Sequence, residues 1–168
     1  MIIVVMVCIT VTGVSAWWAT RRGLAPPFWP GENAVGRSIG IIAEGQILHY
    51  QENLFWDENQ FSGIMENQDG FRSAQIEKFN EKYNVTADNF RVEFEERVVT
   101  ILKCDAHGKF SGSWYDFHWF LNPLGLDFID NHFAKSEKEL SWQGPIDRVM
   151  TTIALRFPFT INHCHAHV

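Results

Sequence analysis

The sequence predicts an α+β domain dominated by antiparallel β-structure: one curled antiparallel sheet or a sandwich, with one amphipathic helix at about residues 71–83 covering a face. Period-two alternation of apolar and polar residues recurs from Ser38 onward, and a single stretch keeps the spacing of a helix with a buried stripe. Turn-forming residues punctuate the rest. At 168 residues, 46% hydrophobic and 14% aromatic, the chain has the length and composition of one packed domain.

The first residues stand apart from that domain. Residues 1–16 read as a signal peptide, with an apolar run from Ile2 to Val14 and a cleavable small-residue pattern at Val14-Ser15-Ala16. An uncleaved membrane anchor is the second reading, because residues 2–20 approach the roughly 20 residues a bilayer requires, with Trp17 and Trp18 at the interface. Arg21 and Arg22 would then favour a cytoplasmic body. A buried strand is the third reading. Export leads, so the expected location is extracytoplasmic, secreted or membrane-anchored. Residues 17–35 form a linker, since the stretch from Ala19 to Gly36 holds three of the six prolines and three glycines. The domain proper spans 36–168.

Two strands broken at Glu44-Gly45 are expected from Ser38 to Trp56, with Ile and Leu facing inward. A polar loop follows from Asp57 to Gly70. Ser73 then caps the helix, whose Ile76, Phe79 and Tyr83 share one side while Glu77, Lys78, Glu81 and Lys82 occupy the other. Beyond Asp88 the strands are Phe90 to Cys104, Lys109 to Leu121, Lys138 to Trp142 and Ile146 to Val168, with a turn at Gln143-Gly144-Pro145. A turn over Cys104-Asp105-Ala106-His107-Gly108-Lys109 would set Cys104 opposite Lys109. It would also set Val92, Phe94 and Val98 opposite Leu121, Trp119 and Tyr115. In that register Asp116 and His118, which look like an acid/base pair when read linearly, sit on the polar face beside Arg97 and Glu95. Glu96 falls on the apolar face opposite Phe117, where a lone carboxylate is costly unless a bulge turns it outward.

The chain closes on INHCHAHV. In the last strand Val149, Ile153, Leu155, Phe157, Phe159 and Ile161 are odd-numbered, so His163, His165 and His167 continue the core-facing row. Alternate strand positions lie about 6.6 Å apart, close enough for two imidazoles to converge on one ion. A divalent metal such as zinc needs three or four ligands, which His167, Glu96, His132, Asp130 or His49 would have to complete. A metal-free polar ligand site built on His163, His165, His167 and Glu96 is the competing reading, and a wet structural rim is the bland one. With Cys8 cleaved away, Cys104 and Cys164 remain as an even pair that a disulfide could join. Closing about 60 residues would stabilise the fold by about 4 kcal/mol. Asn84-Val85-Thr86 is a glycosylation sequon.

A net charge of −6 with scattered cations gives no basic stripe, which argues against nucleic acid as a partner. Phosphate loops, nucleophile elbows, zincin helices and Cys-x-x-Cys pairs are all missing from the sequence. The expected function is therefore an exported or membrane-tethered β-rich binding or interaction module with an aromatic interior and a histidine-lined strand end. Its partner would be a small-molecule ligand or a cell-surface protein. A metal-dependent, hydrolase-like enzyme using the His163/His165 pair is the alternative, and a purely structural surface domain is the third.

Overall fold

The computed structural model describes residues 34–96, 98–111, 114–127 and 132–162. Strands β1 (Gly36–Glu44) and β2 (Ile47–Phe55) form the hairpin that the alternation predicts. The chain reverses at Gly45, whose φ of +59° suits a residue without a Cβ. Two helices follow, α1 (Glu58–Glu66) and α2 (Gln68–Lys82), then β3 (Ala87–Glu95) and β4 (Val99–His107). A small separate hairpin, β5 (Lys109–Ser111) with β6 (Trp114–Asp116), leads into the short helix α3 (His118–Leu121) and a 3-10 turn at Asn122–Leu124. The described chain closes with β7 (Ala134–Lys135), β8 (Glu139–Ile146), β9 (Val149–Arg156) and an irregular segment to Asn162.

Seven strands make one open sheet in the order β3-β4-β2-β1-β9-β8-β7. The α+β class holds, but the sheet is mixed: β1 and β9 run parallel, whereas every other pair is antiparallel. That seam joins an N-terminal set of four strands to a C-terminal set of three.

Strand alternation divides the sheet into two chemically different faces. The inner face carries Ile39 and Ile41 of β1, Leu48, Tyr50 and Leu54 of β2, and Ile153 and Leu155 of β9, all buried. Helix α2 covers its β2–β3 side with Phe71 and Phe79. The Tyr50 and Phe79 rings meet edge to face at 5.0 Å, and Trp56 meets Phe71 at 5.8 Å. Phe120 of α3 packs on Tyr50 and Tyr83 beside it, at 6.2 and 5.7 Å. Among the described residues one charged pair lies within this interior: Arg37 Nε sits 3.2 Å from Glu52 Oε1, with side chains 5% and 14% exposed. The Arg37 N–H is not aimed well enough to make a hydrogen bond, and Tyr50 Oη donates to the other carboxylate oxygen at 3.2 Å.

Three further sequence expectations fail, each for a local reason. The stretch 57–70 is not a loop. Asp57 accepts from the Gln60 amide at 2.9 Å and starts α1, and Asn67 accepts from the Gly70 amide at 3.2 Å and starts α2 well before Ser73. Each cap satisfies one of the amide donors that a helix start otherwise leaves unpaired.

The central hairpin turns elsewhere. Glu95 faces Val99 and Arg91 faces Lys103, so the chain reverses at Glu96–Val98, and β4 runs straight through Cys104–His107 against β2. Cys104 therefore faces Tyr50, not Lys109. Nine paired positions between β2 and β4 outweigh the Gly108 turn signal. The turn bears no glycine: Val98 takes φ +55°, a strained conformation for a β-branched residue, and its carbonyl accepts from the Trp56 amide at 3.0 Å.

The third failure is at the end of the chain. β8 continues through Gln143-Gly144-Pro145, and the turn falls on Asp147-Arg148, with φ of +51° and +67°. Pro145 is tolerated because β7 pairs only with Leu140 and Ser141, leaving that flank of β8 an edge where no amide is needed. The last strand stops at Arg156 rather than running on through Pro158.

Leu155 is fully buried and pairs across the seam with Ile41, so Leu155→Ala should lower the unfolding free energy by about 2–5 kcal/mol. Ile42→Ala, at a half-exposed position of the same seam on the opposite face, should cost less than about 1 kcal/mol. Denaturant titration of both variants checks this; equal losses would mean that the face assignment is wrong.

Candidate functional site: the open sheet face

The outer face of the sheet is polar, and its register can be followed strand by strand. One row runs Asp105, His49, Ile42, Arg156, Glu139 across β4, β2, β1, β9 and β8. The adjacent row runs Arg91, Lys103, Gln51, Gly40, Ala154, Ser141, starting on β3. At its centre, Gly40 and Ala154 have almost no side chain, and a Cβ added at Gly40 would meet nothing within 4 Å. A depression of about 580 Å³ results, with Gly40 and Ala154 in its floor and longer polar side chains around it.

The walls are fixed by hydrogen bonds. A register shift between Asp88 and Arg91 kinks β3, and Asn89 there adopts φ +53°, which Asn tolerates better than most residues. Its Nδ2 donates to Asp105 Oδ2 at 2.8 Å, while His49 Nδ1 lies 2.7 Å from Asp105 Oδ1 and His49 Nε2 lies 3.2 Å from Glu44 Oε2. His107 Nε2 pairs with Asp88 nearby at 3.2 Å. Lys103 and Arg156 are each paired at 2.7 Å, with Glu93 and Glu139.

This electrostatic pattern suits holding a ligand more than catalysing a reaction. The hydrogen bond that His49 donates to Asp105 raises the His49 pKa above its ordinary 6.5, and the hydrogen bonds from Asn89 and His49 hold Asp105 below its ordinary 3.8. Both ring nitrogens of His49 face carboxylates, which favours the imidazolium and leaves no nitrogen free to take a proton from a substrate. Cys104 also touches the depression, but its thiol lies in the β4 row that faces the core, where burial pushes its pKa up to about 12. A buried thiol so shifted is a poor nucleophile.

The residues singled out from sequence fare differently. His163, His165, His167 and Cys164 lie outside the described residues, as does Asp130. The strand whose alternation would have aimed the histidines inward ends at Arg156. Glu96 stands exposed in the β3–β4 turn instead of facing Phe117, and neither a buried carboxylate nor a bulge is involved. His132 is exposed, with φ +48°. Cys104 is a free thiol in this structure. Among the described residues, no three His, Cys, Asp or Glu side chains come together as a metal site.

Asp116 and His118 do form a pair, though not on the β3–β4 hairpin. Asp116 Oδ1 accepts the His118 backbone amide at 2.9 Å and lies 2.8 Å from its Nδ1, a local bond at the start of α3. The depression itself went unread in the sequence. Its signal is a glycine and an alanine on the polar parity of two strands, visible only once those strands are known to be neighbours.

No helix of the described residues is long and apolar enough to cross a membrane, an observation that leaves β-barrels aside. No family model matches the chain, and no curated protein or solved structure matches it either.

The bound proton of His49 stabilises the fold at low pH. Because the folded pKa is raised, this contribution is complete below the ordinary value of 6.5 and is lost as pH rises through the folded value. Asp105 works in the opposite direction, contributing above its ordinary 3.8 and losing its contribution as pH falls through its lowered value. His49→Gln should therefore reduce Tm more at about pH 5.5 than at about pH 8.5. A loss that does not vary over that range would contradict the pairing.

Proposed function

We propose that this chain is a β-rich binding module, exported or membrane-tethered, that holds a small ligand against the open face of its sheet. The depression over Gly40 and Ala154 carries this reading. Its volume of about 580 Å³ falls within the roughly 300–1,000 Å³ usual for small-molecule sites, and the polar side chains in its partly apolar lining stand on strands rather than loops. Gln51, Asn53 and Asn89 supply amide donors and acceptors, while Arg91, Lys103 and Arg156 supply cations. The apolar stretch from Ile2 to Val14, with its small-residue cleavage pattern, supports export.

Gly40→Leu tests the site directly. A side chain there enters open space, so the fold should persist with an unchanged Tm while the depression is filled. In amide NMR spectra, fragments that bind wild type should shift residues 40, 51, 91, 103 and 154 together, and should fail to do so in Gly40→Leu. Fragments that bind both proteins alike, or that cluster on another surface, would refute the assignment.

A further inference from the structure

The depression collects cations in a chain whose net charge is −6. Arg91, Lys103 and Arg156 line it, and the only carboxylate in the lining, Asp105, already accepts from Asn89 and faces His49. Glu93 and Glu139, which pair with Lys103 and Arg156, lie outside the lining. Arg91 makes no hydrogen bond or ion pair among the described residues, so all its guanidinium donors are available. The cations also have a layout. Arg91 and Lys103 stand on β3 and β4, separated from Gly40 of β1 by Gln51 of β2, and Arg156 stands on β9 two residues along from Ala154. With about 4.8 Å between neighbouring strands, β4 and β9 are about 14 Å apart, a span that long side chains narrow from both ends.

We propose that this depression binds an elongated acidic small molecule with an anionic group at each end, one held by Arg91 and Lys103, the other by Arg156, its middle crossing Gln51 of β2 and the bare backbone of Gly40 on β1. This rests on the reading of the depression as the binding site and names the chemistry it selects. Guanidinium forks match carboxylate geometry in bidentate fashion, and the open space above Gly40 leaves room for a chain of methylenes beside Gln51.

Linear dicarboxylates from succinate to suberate, each compared with its uncharged diamide, provide the probes. Titrations of the full chain by amide NMR should show saturable binding of the diacids with a preferred length, and no saturation by the diamides. Arg91→Gln and Arg156→Gln should each weaken the preferred diacid by about tenfold, and Gly40→Leu should abolish binding. Thermal melts confirm that each variant is folded. Diamides that bind as well as diacids, or neutral fragments filling the depression while no diacid does, would overturn the acidic ligand but leave the binding module standing. Diacid binding that survives Gly40→Leu would place the anion elsewhere and overturn the inference. If no probe or fragment perturbs the depression, both readings fall.

Discussion

The parallel pairing of β1 with β9 is the contact on which the rest of the molecule depends. Among the described residues it is the sole strand pairing between the four N-terminal strands and the three C-terminal ones, and without it the sheet would be two smaller ribbons. Its inner side is apolar: Ile39 lies against Ile153 and Ile41 against Leu155, all at most 1% exposed. Its outer side is Gly40 against Ala154, the floor of the depression. One register thus builds the centre of the core and the centre of the candidate site on opposite faces of the same two strands. Joining the first and last strands of the sheet requires closing a long loop, an entropic cost that must be met before the contact returns anything. The seam contributes through apolar burial, which needs no directional bonds to begin forming.

Charge is handled differently on the two faces. Inside, Arg37 and Glu52 are taken out of water together. Such a pair adds little net stability, yet losing either member would strand the other in the core. Outside, the chain from Asn89 through Asp105 and His49 to Glu44 crosses four strands and remains half-exposed, where each bond contributes modestly but fixes a side chain in place. The outer chain thereby holds the wall of the depression in place.

How much of this could be read from the residues depended on whether the signal was local. The β1–β2 hairpin was legible because Glu44-Gly45 interrupts two alternating runs, and the parity of β9 was legible because Val149, Ile153 and Leu155 recur every second residue. The class of the fold followed from these. The turn at Glu96–Val98 was illegible: it has no Gly, Asn or Pro, and Val98 is held at φ +55° by its place between Trp56 and β4, a tertiary constraint. The capped helix α1 was hidden because its stretch is polar and only Ile64 is buried along it. A parallel partner leaves no mark in sequence, so the floor at Gly40 and Ala154 could not be assembled from parity alone. The terminal histidines stand out by their spacing, but they lie outside the described residues, beyond the end of β9 at Arg156.

The seam is tested most directly by the backbone contacts between β1 and β9 in solution. Nuclear Overhauser spectra of labelled protein should show inter-strand amide and α-proton contacts of residues 39–41 with residues 153–155 in the pattern of a parallel pair. Absence of these contacts, or an antiparallel pattern in their place, would separate Gly40 from Ala154 and take away both the core seam and the depression above it.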